Sequence, residues 1–133
     1  MEQSEAIRRE QQEDGVVVER PAPLVLNMDH FRRFTLGNAA FEEEIFGLFL
    51  SGLPETVEAM GSSVGGSGWR AAVHKLRGSA LGIGAERLSE AARAAEHLPI
   101  ENIVEREAAI GILDREIEAV VAEIRSLCAG APG

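Results

Sequence analysis

Three histidines, His30, His74 and His97, are the side chains in this chain best suited to nucleophilic or proton-transfer work near neutral pH. No serine or cysteine stands near them in a pattern that suggests a nucleophile triad, so covalent hydrolase chemistry has little support. No His-x-x-x-His pair exists, the one cysteine is Cys128, and Glu42-Glu43-Glu44 reads as a solvated face, so no metal site is expected. His74 stands out by its surroundings. Trp69, Val73, Leu76, Ala80 and Ile83 recur at helical spacing and mark a buried stripe. At about 100° per residue, His74 points about 140° away from the centre of that stripe, into water. Arg70 and Arg77 fall nearer the core edge, Gly78 one turn above the histidine and Leu81 two turns above it. An exposed imidazole of this kind is a good nucleophile, because one ring nitrogen can attack while the other keeps its proton. His97, just before Leu98-Pro99, reads as a cation capping a helix C-terminus, and His30, beside Asp29, as a surface residue. Ser79 reads as a small packing residue and Trp69 as a core plug.

The elements that must hold this patch are helical. The chain has 133 residues, 45% of them hydrophobic and 26% charged, which suits one domain with one core. Ala, Leu, Glu and Arg dominate, Tyr is absent and aromatics make up 5%, which favours an all-α fold. With 22 acidic against 13 basic residues, the formal charge of -9 argues against nucleic acid and anionic membranes as partners. No apolar run reaches the roughly 18 residues of a membrane span and the N-terminus does not look like a signal peptide, so a cytoplasmic location is expected. No Gly-rich nucleotide loop occurs, so the chain is not a self-sufficient kinase.

Residues 1–26 are expected to be a flexible or extended tail, with Pro21 and Pro23 keeping its end out of any central strand. Residues 27–129 are expected to form an antiparallel up-and-down four-helix bundle with a short extra N-terminal helix. Asp29 is the expected N-cap of the short helix and Gly37-Asn38 its end. Ile45, Leu48, Phe49, Leu53, Val57, Met60 and Val64 form the predicted apolar side of a long second helix that Pro54 bends without ending. The third runs from Trp69 to the Gly82/Gly84 stop. A fourth carries Ala85, Leu88, Ala91, Ala92 and Ala95, and the last spans about Glu101 to Cys128 on a stripe from Ile103 to Leu127.

The run His74-Lys75-Leu76-Arg77-Gly78-Ser79-Ala80-Leu81-Gly82-Ile83-Gly84-Ala85 resembles the signature of histidine-containing phosphotransfer (HPt) domains. That pattern is a histidine, a basic residue three positions on, Gly and then Ser or Ala, and a Gly-Ala pair opening the next helix. Arg77 stands where lysine is most common. Similarity extends over roughly residues 28–98. The resemblance implies that His74 is the phosphoacceptor, that Arg77 stabilises the phosphoryl group, and that Glu96, 22 residues further on, orients the imidazole. Gly78, Leu81, Arg70 and Lys75 would meet the partner. It further implies a phosphocarrier rather than an enzyme, monomeric and without a cofactor of its own, serving receiver domains of hybrid histidine kinases and response regulators, with Mg²⁺ brought by the receiver. Two alternatives are an HPt-like bundle that binds or sequesters a receiver without transfer, and a kinase-type dimerisation bundle. The presence of His74 argues against the first and the run of helices in one chain against the second.

Overall fold

The computed structural model describes residues 21–129; expectations for residues 1–20 and for the Gly130–Gly133 end lie outside them. Five helices follow in order: α1 (Met28–Thr35), α2 (Ala39–Ser62), α3 (Trp69–Gly82), α4 (Glu86–Glu96) and α5 (Ile103–Ala129), with no strand among the described residues. Each of α2 to α5 packs on its neighbour in the chain, α5 closes the ring on α2, and α1 packs against α2. This is the all-α four-helix bundle with a short extra N-terminal helix that the sequence leads one to expect.

The cap of α1 differs from expectation. Asn27, not Asp29, is the N-cap, its side-chain oxygen accepting the His30 amide at 3.0 Å. Asp29 instead lies in the first turn, where a negative charge suits the helix dipole. Asn38 caps α2 in the same way through the Phe41 amide, and α2 runs unbroken through Pro54 to Ser62, leaving Val64 in the loop beyond.

The buried side of α2 follows the predicted one except at Leu48: Phe49, Leu53 and Met60 lie in the core, and Ile45, Val57 and Val64 pack against it. Glu42, Phe46, Phe49, Leu53, Thr56 and Met60 face the core, whereas Leu48 is 68% exposed. These six follow one helical phase, from whose centre Leu48 lies about 120° away. Glu42 therefore does not belong to a solvated face. It accepts the Thr35 hydroxyl at 2.6 Å, which satisfies a buried carboxylate and ties α1 to α2. Glu43 and Glu44 are exposed as expected.

The α3 stripe is buried throughout, and Trp69 is fully enclosed with its indole N–H donating to the Ala95 carbonyl at 2.8 Å. Ala92 and Ala95 let α4 lie close against α3, and these two helices form the most extensive pairing in the bundle. Between them the chain turns through a Schellman arrangement: the Ala85 amide bonds to the Ala80 carbonyl, the Gly84 amide to that of Leu81, and Gly84 takes φ +76°. The extended segment from Pro21 to Asn27 docks on this turn. The Asn27 amide bonds to the Gly84 carbonyl and the Arg87 amide to that of Leu24, while Glu86 accepts from the Leu24 amide and the Asn27 side chain. These bonds, led by that from Asn27, hold the Glu86 carboxyl below its ordinary value.

Helix α5 buries Leu113, Ile117, Val120 and Ile124, while Ile103 and Leu127 at its two ends are exposed. Its 27 residues extend about 40 Å against about 16 Å for the 11 of its main neighbour α4, so α4 cannot cover both of its ends. The stripe also contains Arg106, 3% exposed, whose guanidinium donates to the Val64 carbonyl at 3.0 Å and lies 5.3 Å from the Trp69 ring centre.

Candidate functional site

His74 lies at the middle of α3, on the side away from the core, and its side chain is 65% exposed. Glu96 closes α4, and its carboxylate, 11% exposed, reaches across the crevice between the two helices. Its Oε2 lies 2.8 Å from His74 Nδ1 and its Oε1 3.3 Å from Arg77 Nη1. One carboxylate thus serves two partners, one through each oxygen.

Several elements fix this geometry. Trp69 grips Ala95, the residue before Glu96, and so holds the end of α4 against the first turn of α3. The His97 amide closes the helix on the Ala94 carbonyl, and the His97 ring bonds to the Arg93 carbonyl at 2.8 Å, the helix-end capping expected of it. His30 is exposed on α1.

Electrostatics of the carboxylate are a contest. Burial pushes the Glu96 carboxyl up, but the hydrogen bond and charge of His74, followed by those of Arg77, outweigh it and hold the group below its ordinary value. It is therefore a carboxylate at neutral pH. Because a carboxylate only accepts hydrogen bonds, the nitrogen facing it must carry the proton, and in the neutral ring the lone pair is then on Nε2. An imidazole oriented in this way can attack an electrophile with Nε2.

Gly78, Leu81, Arg70 and Lys75 are all exposed on α3, Leu81 to 53%. A side-chain atom added at Gly78 would meet nothing within 4 Å, so the backbone there is open. Ser79 is exposed, not packed between helices as expected; it lines a cleft of about 410 Å³ shared with Phe34, Phe41, Leu48 and Gly82. The exposed Phe34, Phe41 and Leu48 extend the apolar surface around Leu81 toward α1 and α2. The sequence reading expects part of the first helix at the margin of the docking surface but places Leu48 in the core, although the Phe46-Phe49-Leu53 phase puts it outside. Among the described residues, no group of three His, Cys, Asp or Glu is arranged to hold a metal ion, and no helix is long and apolar enough to cross a membrane.

A family model, the Hpt domain, matches residues 44–129, more than half of the chain and a span that includes His74, Arg77 and Glu96. Searches of curated proteins and of solved structures found no match.

Proposed function

The chain belongs to the Hpt domain family, and from that premise we propose that it carries a phosphoryl group on His74 between receiver-domain aspartates in a multistep His-Asp phosphorelay. The observation that carries this reading is the exposed His74 ring with Nδ1 held by Glu96 at 2.8 Å. In the forward step the Nε2 lone pair attacks the phosphorus of an aspartyl phosphate. The N–P bond forms as the P–O bond to the receiver's carboxyl breaks, and the aspartate leaves as a carboxylate. The proton on Nδ1 stays in place, and Glu96 stabilises the positive charge that develops on the ring. The reverse attack by another receiver's aspartate returns the ring to its starting state.

Arg77 sets a permanent positive charge one turn from the phosphoryl group and offsets part of its negative charge. Gly78 leaves bare backbone for the partner's loop, and Leu81, with Arg70 and Lys75 around it, forms the centre of the docking surface. Mg²⁺ and most of the catalytic groups come with the receiver, so the bundle is a monomeric carrier and substrate rather than an enzyme. Incubation with a phosphorylated receiver and Mg²⁺ is expected to label the protein, with the label acid-labile and base-stable. His74→Gln should abolish labelling; label retained in that variant would remove the site assignment, and no label on the wild type with any receiver would favour the non-transferring scaffold.

A further inference from the structure

Leu81, near the end of α3 that turns into α4, borders two clefts. One, of about 430 Å³, it shares with Phe34 of α1; the other, of about 450 Å³, it shares with Pro21, Ala22, Pro23 and Leu24 of the extended segment. That segment is fixed more firmly than its burial explains. Leu26 anchors it in the core, whereas all four residues from Pro21 to Leu24 are exposed, Leu24 to 49%. The exposed part is nevertheless bonded through both backbone groups of Leu24, whose amide donates to Glu86 at 2.9 Å and whose carbonyl accepts from the Arg87 amide at 3.0 Å. Pro21 and Pro23 fix φ on either side of Ala22. An apolar surface stiffened in this way gives up little entropy when a partner covers it.

We infer that residues 21–24 form, with Leu81, a wall of the surface on which the phosphodonor receiver docks. The inference rests on the reading of His74 as phosphoacceptor and adds to it a recognition element outside the 44–129 family match. Reach is sufficient. Leu81 lies about 10 Å along α3 from His74, and an ordinary interface covers about 800 Å² on each partner, roughly 30 Å across. A receiver seated over the ring therefore covers Leu81 and the cleft beside it. The charges of the cleft define what that part of the receiver presents. Glu86 has both carboxylate oxygens engaged, by the Leu24 amide and the Asn27 side chain, but Asp29 and Glu90 line the same cleft. Glu90 meets Arg93 at 3.4 Å with both side chains more than half exposed, a pairing too weak to withhold its charge. The complementary surface is an apolar side chain flanked by Lys or Arg.

The test is the KM for transfer from a phosphorylated receiver to the full chain, read beside hydrogen exchange of the amides that hold the segment. Ala22→Arg and Leu24→Arg should each raise KM roughly tenfold with kcat changed by less than about twofold, while the Asn27 and Arg87 amides keep their protection. Asp29→Asn combined with Glu90→Gln should raise KM about threefold and flatten its dependence on salt. A wild-type KM in both arginine variants, or in the paired carboxylate variant, overturns the inference. So does a rise confined to an arginine variant that has lost the amide protection, because the segment would then only brace the turn. In each of these cases transfer by the wild type leaves the proposed function standing; a wild type that no receiver labels sinks that function and this docking surface with it.

Discussion

At the scale of single residues, the site divides into what one helix can reveal and what needs two. The outward direction of His74 follows from the Trp69-to-Ile83 phase alone, and the structure places the ring 65% exposed. Its pairing with Glu96 lies across 22 residues and two helices, so no local pattern contains it; only the resemblance to HPt domains pointed there. Arg77 was legible as a charge beside the histidine but not as the partner of the same carboxylate. Gly78 allows the local argument to be tested. It sits in mid-helix at ordinary negative φ with open space where a side chain would be, so neither packing nor backbone geometry requires glycine there. A helical glycine costs about 1 kcal/mol relative to alanine. Gly78→Ala should therefore raise unfolding stability by about 0.5–1 kcal/mol in urea titration, whereas Gly78→Gln should keep the helical circular dichroism and lose transfer. Undiminished transfer by the glutamine variant would sink the view that bare backbone admits the partner.

At the scale of elements, helix positions were read well and helix faces less so, for a physical reason. The periodicity of apolar residues locates a helix, but assigning its buried side by polarity misplaces any polar residue that finds a partner inside. Glu42 and Arg106 both lie in phase with the apolar stripes of their helices, and both find partners inside: the Thr35 hydroxyl donates to Glu42, and Arg106 Nη1 donates to the Val64 and Gly66 carbonyls. The stop of α3 was legible from Gly82 and Gly84, but not the docking of residues 21–27 upon it, which depends on backbone groups that every sequence has. Gly84 tests that docking. A side-chain carbon there would stand 2.9 Å from the Asn27 carbonyl oxygen, and φ +76° is strained for any residue but glycine. Gly84→Ala should cost about 1–3 kcal/mol and should strip hydrogen-exchange protection from the Asn27 and Arg87 amides. Full stability with those amides still protected would show that the segment and turn accommodate the methyl group by a shift this geometry does not suggest.

At the scale of the whole molecule, the site hangs on a chain of contacts that starts at the far side of the bundle. Arg106 of α5 holds the loop after α2 through the Val64 and Gly66 carbonyls and lies against Trp69; Trp69 holds Ala95; and Ala95 precedes the carboxylate that orients His74. Arg106 lies within the 44–129 family match, yet its task is one of assembly, since it touches none of the groups around the histidine. Removing it leaves two carbonyls without their donor and forfeits the contact with the indole face. Arg106→Met, which keeps much of the aliphatic volume, should lower unfolding stability by about 2–3 kcal/mol in urea titration. Below its melting transition the variant should still accept phosphate within about twofold of the wild-type rate, because a two-state bundle that remains folded keeps the α3–α4 crevice. A large loss of transfer in a chain that is still fully helical would mean that the α5 contact sets the position of Glu96 directly, and that the geometry around His74 belongs to the entire bundle rather than to two of its helices.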